Sequence, residues 1–142
     1  MPYELRDHTA DVAVAATGNT LDTLFAAVAD GLTAASSESV PEAGGERFSV
    51  EATAATREAV LFDYLDRLIY ERDVRHVLPA DHRCRVREPI ASDKAGAWTV
   101  EASARGVPLS AVDAREIKAV TYSEMSIEQQ NGSWEAYVVF DV

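Results

Sequence analysis

Carboxylates stand close together at both ends of this sequence. Near the start, "DHTADV" brings Asp7, His8, Thr9 and Asp11 within five residues, and at the end Asp141 is followed by Val142 and its terminal carboxylate. Carboxylate oxygens are hard ligands, so a site made from them favours calcium, magnesium or manganese over a thiolate-seeking metal. Asp141 and the Val142 terminus make a weak pair on their own. Asp11 completes a three-carboxylate cluster if the first strand runs beside the last, and the chain then ends inside a strand because its terminus is itself a ligand. The plainer reading treats these acids as solvated charges or caps in a chain where acids occur nearly everywhere, with a terminus that frays. On that reading His8 is a hydrogen-bonded structural residue.

Other candidates are poorer. His76 and His82 flank "VLPAD" with Cys84 two residues on, which is not the paired spacing of a zinc site. Ser123 lacks a nucleophile-elbow context. Gly44-Gly45 lacks the Lys-Ser/Thr that completes a phosphate loop. Arg83, Arg85 and Arg87 alternate and share one face of a strand; such a stripe either blunts a sheet edge or touches RNA or an acidic partner. Lys118, one of two lysines, stands in an otherwise apolar strand pattern, where it snorkels outward or holds an anion.

The elements that must position these residues follow from periodicity. Leu21, Leu24, Phe25, Val28 and Leu32 make a helical stripe over residues 20–35, with Thr20 as N-cap. Leu61, Tyr64, Leu65, Leu68 and Ile69 make a second over 57–72, capped by Thr56, with Asp63 and Arg67 spaced for an i,i+4 pair. Residues 12–17, 47–54, 82–90, 97–106, 117–129 and 133–142 read as strands, and Asn131-Gly132 between the last two is a strong hairpin signal. Two helices on a mostly antiparallel sheet of about six strands predict an α+β two-layer sandwich. The 142 residues fit one domain, 1–142.

Composition narrows the setting. The formal charge is −11, from 24 acids against 13 bases, a surface that repels bare nucleic acid unless a local basic patch or a metal intervenes. Scarce lysine and abundant acid suit a halophile's surface; the alternative is an ordinary acidic protein. A lone Cys84 fits a reducing, cytoplasmic home. A signal peptide and a membrane span are not expected from this sequence.

"DHTADV", "VLFDYLDRLIYERDV" (60–74), "EIKAVTYSEMSIE" (116–128) and a closing "VVFDV" occur in one chain in this order. Together they resemble the archease family over essentially the whole sequence. The resemblance implies a small α+β protein that is not itself an enzyme. It would assist the RtcB-type RNA-splicing ligase, which joins tRNA exon halves with GTP and manganese, by promoting guanylylation and multiple turnover. Contact with tRNA would come only through the ligase. The family's acidic metal site falls on Asp11, Asp141 and the Val142 carboxylate. Lys118 and Thr121 lie in "KAVTY", where they support the site or the partner surface. Two departures stand out: Asp7 replaces the family's usual Glu, and Ser123 replaces a His, whose role does not carry over. Competing readings are a metal-dependent phosphoesterase using His8 as acid or base, and a chaperone-like binding module.

Overall fold

A computed structural model of the chain describes residues 2–8, 11–90 and 96–142, and for residues 6–8 the backbone alone. In chain order the elements are β1 (Tyr3–His8), β2 (Asp11–Gly18), α1 (Leu21–Ser36), β3 (Glu46–Ala54), α2 (Arg57–Arg75), β4 (Val77–Arg87), β5 (Trp98–Pro108), β6 (Ala119–Gln130) and β7 (Ser133–Asp141). The α+β class and the antiparallel pairing match the sequence reading. The described strands number seven and divide into two sheets, β1-β2-β7-β6 and β3-β5-β4.

Local chemistry sets the element ends. Thr20 caps α1 in a reciprocal arrangement with Thr23: the Thr23 amide donates to Thr20 Oγ1 and the Thr20 amide to Thr23 Oγ1, each at 3.1 Å. Thr56 accepts from the Ala59 amide at the start of α2, and His76, in the left-handed region at φ 55°, ends it. Asn131 and Gly132 both take positive φ, 52° and 79°, as a two-residue turn matching strand twist requires. The expected Asp63–Arg67 pair is replaced: Arg67 reaches forward to Glu71 at 3.1 Å, and Glu71 also accepts from Arg75.

Both helices touch both sheets, α1 through β2 and β4, α2 through β6 and β3. α1 is buried along most of its length, whereas α2 keeps a wet face of Asp63, Asp66, Arg67, Tyr70 and Asp73; Phe25, Leu24, Val28, Leu61, Tyr64 and Leu65 are fully enclosed in one core cluster with Val14, Val100 and Phe140. Gly31 lets α1 pack closely on β2, since a Cβ there would lie 2.5 Å from Val14 Cγ1. The edge of β4 that β5 leaves open is closed by α1. Asp22 Oδ1 accepts from the Val86 amide at 2.6 Å, Asp30 Oδ1 from the His82 amide at 3.4 Å, and Thr33 Oγ1 donates to the Pro79 carbonyl at 2.7 Å. Side chains of a helix thus stand in for a neighbouring strand.

Candidate metal centre

β2 and β7 are central neighbours in the four-stranded sheet, and their register sets Asp11 opposite Asp141. This is the juxtaposition the acidic cluster needs. β2 begins at Asp11 and β7 ends at Asp141, so both carboxylates project at one end of the sheet rather than into the core. On the other side of β7, Ala119 of β6 faces Asp141, and the Lys118 amide donates to the Asp141 carbonyl at 2.8 Å. That bond ties the last residue of β7 to the residue preceding β6.

The two carboxyl groups approach closely enough to share a hydrogen bond. This bond with Asp11 raises the Asp141 pKa above its ordinary 3.8; partial desolvation and Asp11's charge push the same way, and the Lys118 ammonium opposes them. Paired carboxylates this close repel when both are ionised. A proton relieves that repulsion, and a divalent cation with hard-oxygen preference relieves it more fully. The donor set therefore fits such an ion. Among the described residues no group of three or more His, Cys, Asp or Glu side chains forms a metal cluster, so a third oxygen has to come from elsewhere, and Val142, exposed and next in sequence, is the adjacent candidate.

The remaining candidates are distributed as follows. The His8 backbone pairs with Asp11 in the β1–β2 ladder; its side chain, that of Asp7, and Thr9 lie outside the described residues. Thr121 donates to the Val139 carbonyl at 3.1 Å, a cross-strand structural bond. Lys118 lies just before β6 rather than within a strand, and is exposed with its charge felt at Asp141. Ser123 is exposed. His76 is a helix cap, and His82 is buried beside Thr33, with Nε2 2.8 Å from Thr33 Oγ1; neither joins Cys84, whose thiol bonds Tyr64 instead.

One feature of this end of the molecule has no counterpart in the sequence reading. The rings of Phe62 on α2 and Tyr122 on β6 stack, with centroids 4.1 Å apart and planes within 2°. Tyr122 is half exposed and follows Thr121 in β6, the strand that pairs with β7 beside Asp141. The available signal was Phe62 lying beside the leucine stripe of α2 and an aromatic, Tyr122, at an exposed position of β6.

A family model described as the Archease protein family (MTH1598/TM1083) matches residues 3–142. The chain belongs to the archease family. Proteins named archease from Methanosarcina mazei and Methanosarcina acetivorans are 31% and 32% identical over 143 residues, covering 99% of this chain and 95% of each relative. The solution structure of Methanobacterium thermoautotrophicum protein 1598 superposes with a TM-score of 0.84 at 26% identity, covering 99% of both chains. A Thermotoga maritima archease, described as a possible chaperone, shares the fold at a TM-score of 0.62 and 22% identity over 96% of this chain and 94% of its own. No described helix is long and apolar enough to cross a membrane.

Proposed function

We propose that this archease-family protein is a metal-binding accessory factor that activates an RtcB-type RNA-splicing ligase in tRNA splicing, promoting its guanylylation and repeated turnover. The observation that carries the reading is the cross-strand pairing of Asp11 with Asp141 at an exposed end of the sheet. Asp11, Asp141 and the Val142 carboxylate would hold calcium, magnesium or manganese. A divalent ion there would supply positive charge to phosphate oxygens during nucleotidyl transfer. The chain's own residues do the positioning. The β2–β7 ladder fixes the separation of the two carboxylates, and the Lys118–Asp141 backbone bond holds the strand end against β6. The ammonium of Lys118 keeps Asp141 more acidic than the pair alone would. In this role the protein acts on the ligase and is not itself the catalyst, and tRNA meets this end of the molecule through the ligase. A cytoplasmic, high-salt setting fits the single cysteine and the acid-rich, lysine-poor composition.

The test uses limiting ligase with excess broken tRNA. Repeated turnover is expected only when this protein is present, and Asp11→Ala or Asp141→Ala should abolish the stimulation. Full stimulation by both variants would remove the metal end from the reading. A few residues appended after Val142 should weaken manganese or calcium binding in calorimetry although no side chain is lost; unchanged affinity would remove the terminal carboxylate from the ligand set. Hydrolysis of phosphoesters by this protein alone would instead favour the phosphoesterase reading.

A further inference from the structure

The outward face of the three-stranded sheet is charged against the trend of the molecule. Its rows across β3, β5 and β4 follow from register: Thr53, Thr99 and Arg87; Glu51, Glu101 and Arg85; Ser49, Ser103 and Arg83. Arg47 and Arg105 face each other at the next position. Five arginines and, with Asp81 of the adjoining bulge, three acids therefore meet on one face, leaving 8 bases against 21 acids for the rest of the chain. Two of these arginines are already engaged: Arg105 pairs with Asp81 and donates to the Gly44 and Pro41 carbonyls, and Arg47 bonds Ser103 Oγ and the Asp81 carbonyl. Arg87 makes only a loose, half-exposed pair with Glu101 at 3.6 Å, which a phosphate can replace. Arg83 and Arg85 are exposed and have no hydrogen-bond or ion-pair partner among the described residues. In a chain with 24 acids that is an unusual pair to leave open.

We propose that this face binds the phosphodiester backbone of RNA, with Arg83, Arg85 and Arg87 each taking a phosphate. Alternate residues on a strand stand about 6.8 Å apart, a repeat comparable to that of phosphates along an extended nucleic-acid strand. Guanidinium forks match phosphate oxygens in geometry as well as charge. The hydroxyl of Thr99, opposite Arg87 in the β4–β5 ladder, flanks the stripe as a further donor. No aromatic side chain lies on the outward positions, so the face has no stacking platform for bases, and binding through it follows the backbone rather than the sequence. RNA fits better than an extended acidic peptide. A peptide would gain most by adding a strand to the sheet edge, but α1 has already taken the β4 amides of His82 and Val86. The surface lies on the other sheet from Asp11 and Asp141, and a direct RNA contact there departs from the expectation that tRNA is met only through the ligase.

Fluorescence anisotropy with a labelled single-stranded RNA of mixed sequence tests the proposal. The molecule's overall acidity keeps binding in the weak, non-specific range of about 10⁻⁴–10⁻⁶ M. Three phosphate contacts on a single strand predict a slope of log K against log salt of about −2. Arg83→Gln and Arg85→Gln should each weaken binding about tenfold at 50 mM salt and flatten the slope by about 0.7. Arg67→Gln, which removes the same charge from α2, should change little. Failure to bind RNA at low salt, an equal loss with Arg67→Gln, or tighter binding of a polyglutamate peptide would each overturn it. Unchanged circular dichroism and melting of the variants separates lost contact from lost fold. Loss of RNA binding by these variants with ligase stimulation intact separates this face from the acidic end.

Discussion

At the scale of single residues, the acidic end works through proximity, and proximity has a measurable signature. Asp141→Asn removes one of two mutually repelling charges and one ligand together. The variant should lose calcium or manganese binding in isothermal titration while melting no lower than the parent without metal. A lower metal-free melting temperature would mean that the pair stabilises the fold and is a structural hydrogen bond. Affinity for the ion in the parent should weaken as pH falls, because the shared hydrogen bond with Asp11 raises the Asp141 pKa and the proton competes for the same oxygens. Cys84 offers a contrasting residue. Burial pushes its thiol up to about 12, with the Tyr64 hydrogen bond opposing, so almost no thiolate exists at neutral pH. Iodoacetamide should leave the native protein unlabelled over hours and label it promptly in urea.

At the scale of elements, what the sequence disclosed depends on how local each signal was. The two helices and the β6–β7 hairpin were legible because a stripe of leucines, a threonine cap and an Asn-Gly turn are written in consecutive residues. β1 was not, since "YELRDH" is mostly polar and carries little alternation. β4 starts at Val77, five residues before the alternating run, because Leu78, Pro79 and Ala80 are buried in succession and erase the period. A proline there also argues against a strand, but β4 is an edge strand and tolerates it. The division into two sheets lies in non-adjacent pairings that no local pattern records. The acidic site shares this limit: the types and positions of Asp11 and Asp141 were readable, whereas their facing each other is a property of the β2–β7 register. The contact between α1 and β2 has its own test. Gly31→Ala gains about 1 kcal/mol of helix propensity but forces its Cβ onto Val14, and overpacking costs about 1–3 kcal/mol. The urea midpoint should fall. In a Val14→Ala background the same change should be neutral or stabilising, and an equal loss there would place the strain elsewhere.

At the scale of the whole molecule, two ionisable groups in the α1–β4 seam oppose each other and set how the fold answers to acid. Thr33 Oγ1 donates to a backbone carbonyl, so His82 Nε2–H donates to Thr33 and Nδ1 is left buried without a hydrogen-bond partner. Protonating Nδ1 would place an unpaired charge in the core. Burial lowers the His82 pKa from 6.5 to about 4, with the Pro79 backbone carbonyl and Asp81 raising it and Arg47 lowering it. Asp30 goes the other way: burial, opposed by the His82 amide and aided by Asp81, lifts it from 3.8 to about 6. Between pH 6.5 and 4 the unfolded chain holds more protons at His82, so stability falls with acidification by up to about 3 kcal/mol. Between about 6 and 3.8 the folded chain holds more protons at Asp30, so stability rises with acidification over nearly the same range. The two slopes offset, and comparison with single variants exposes them. Asp30→Asn should lose more stability than the parent between pH 6.5 and 4, whereas His82→Gln should lose less or gain. Urea midpoints at pH 6.5, 5 and 4 make the comparison, and the surface carboxylates common to all three proteins cancel from the differences. Parallel curves for the three would mean that neither group changes its protonation on folding, and that the seam is held by packing and neutral hydrogen bonds alone.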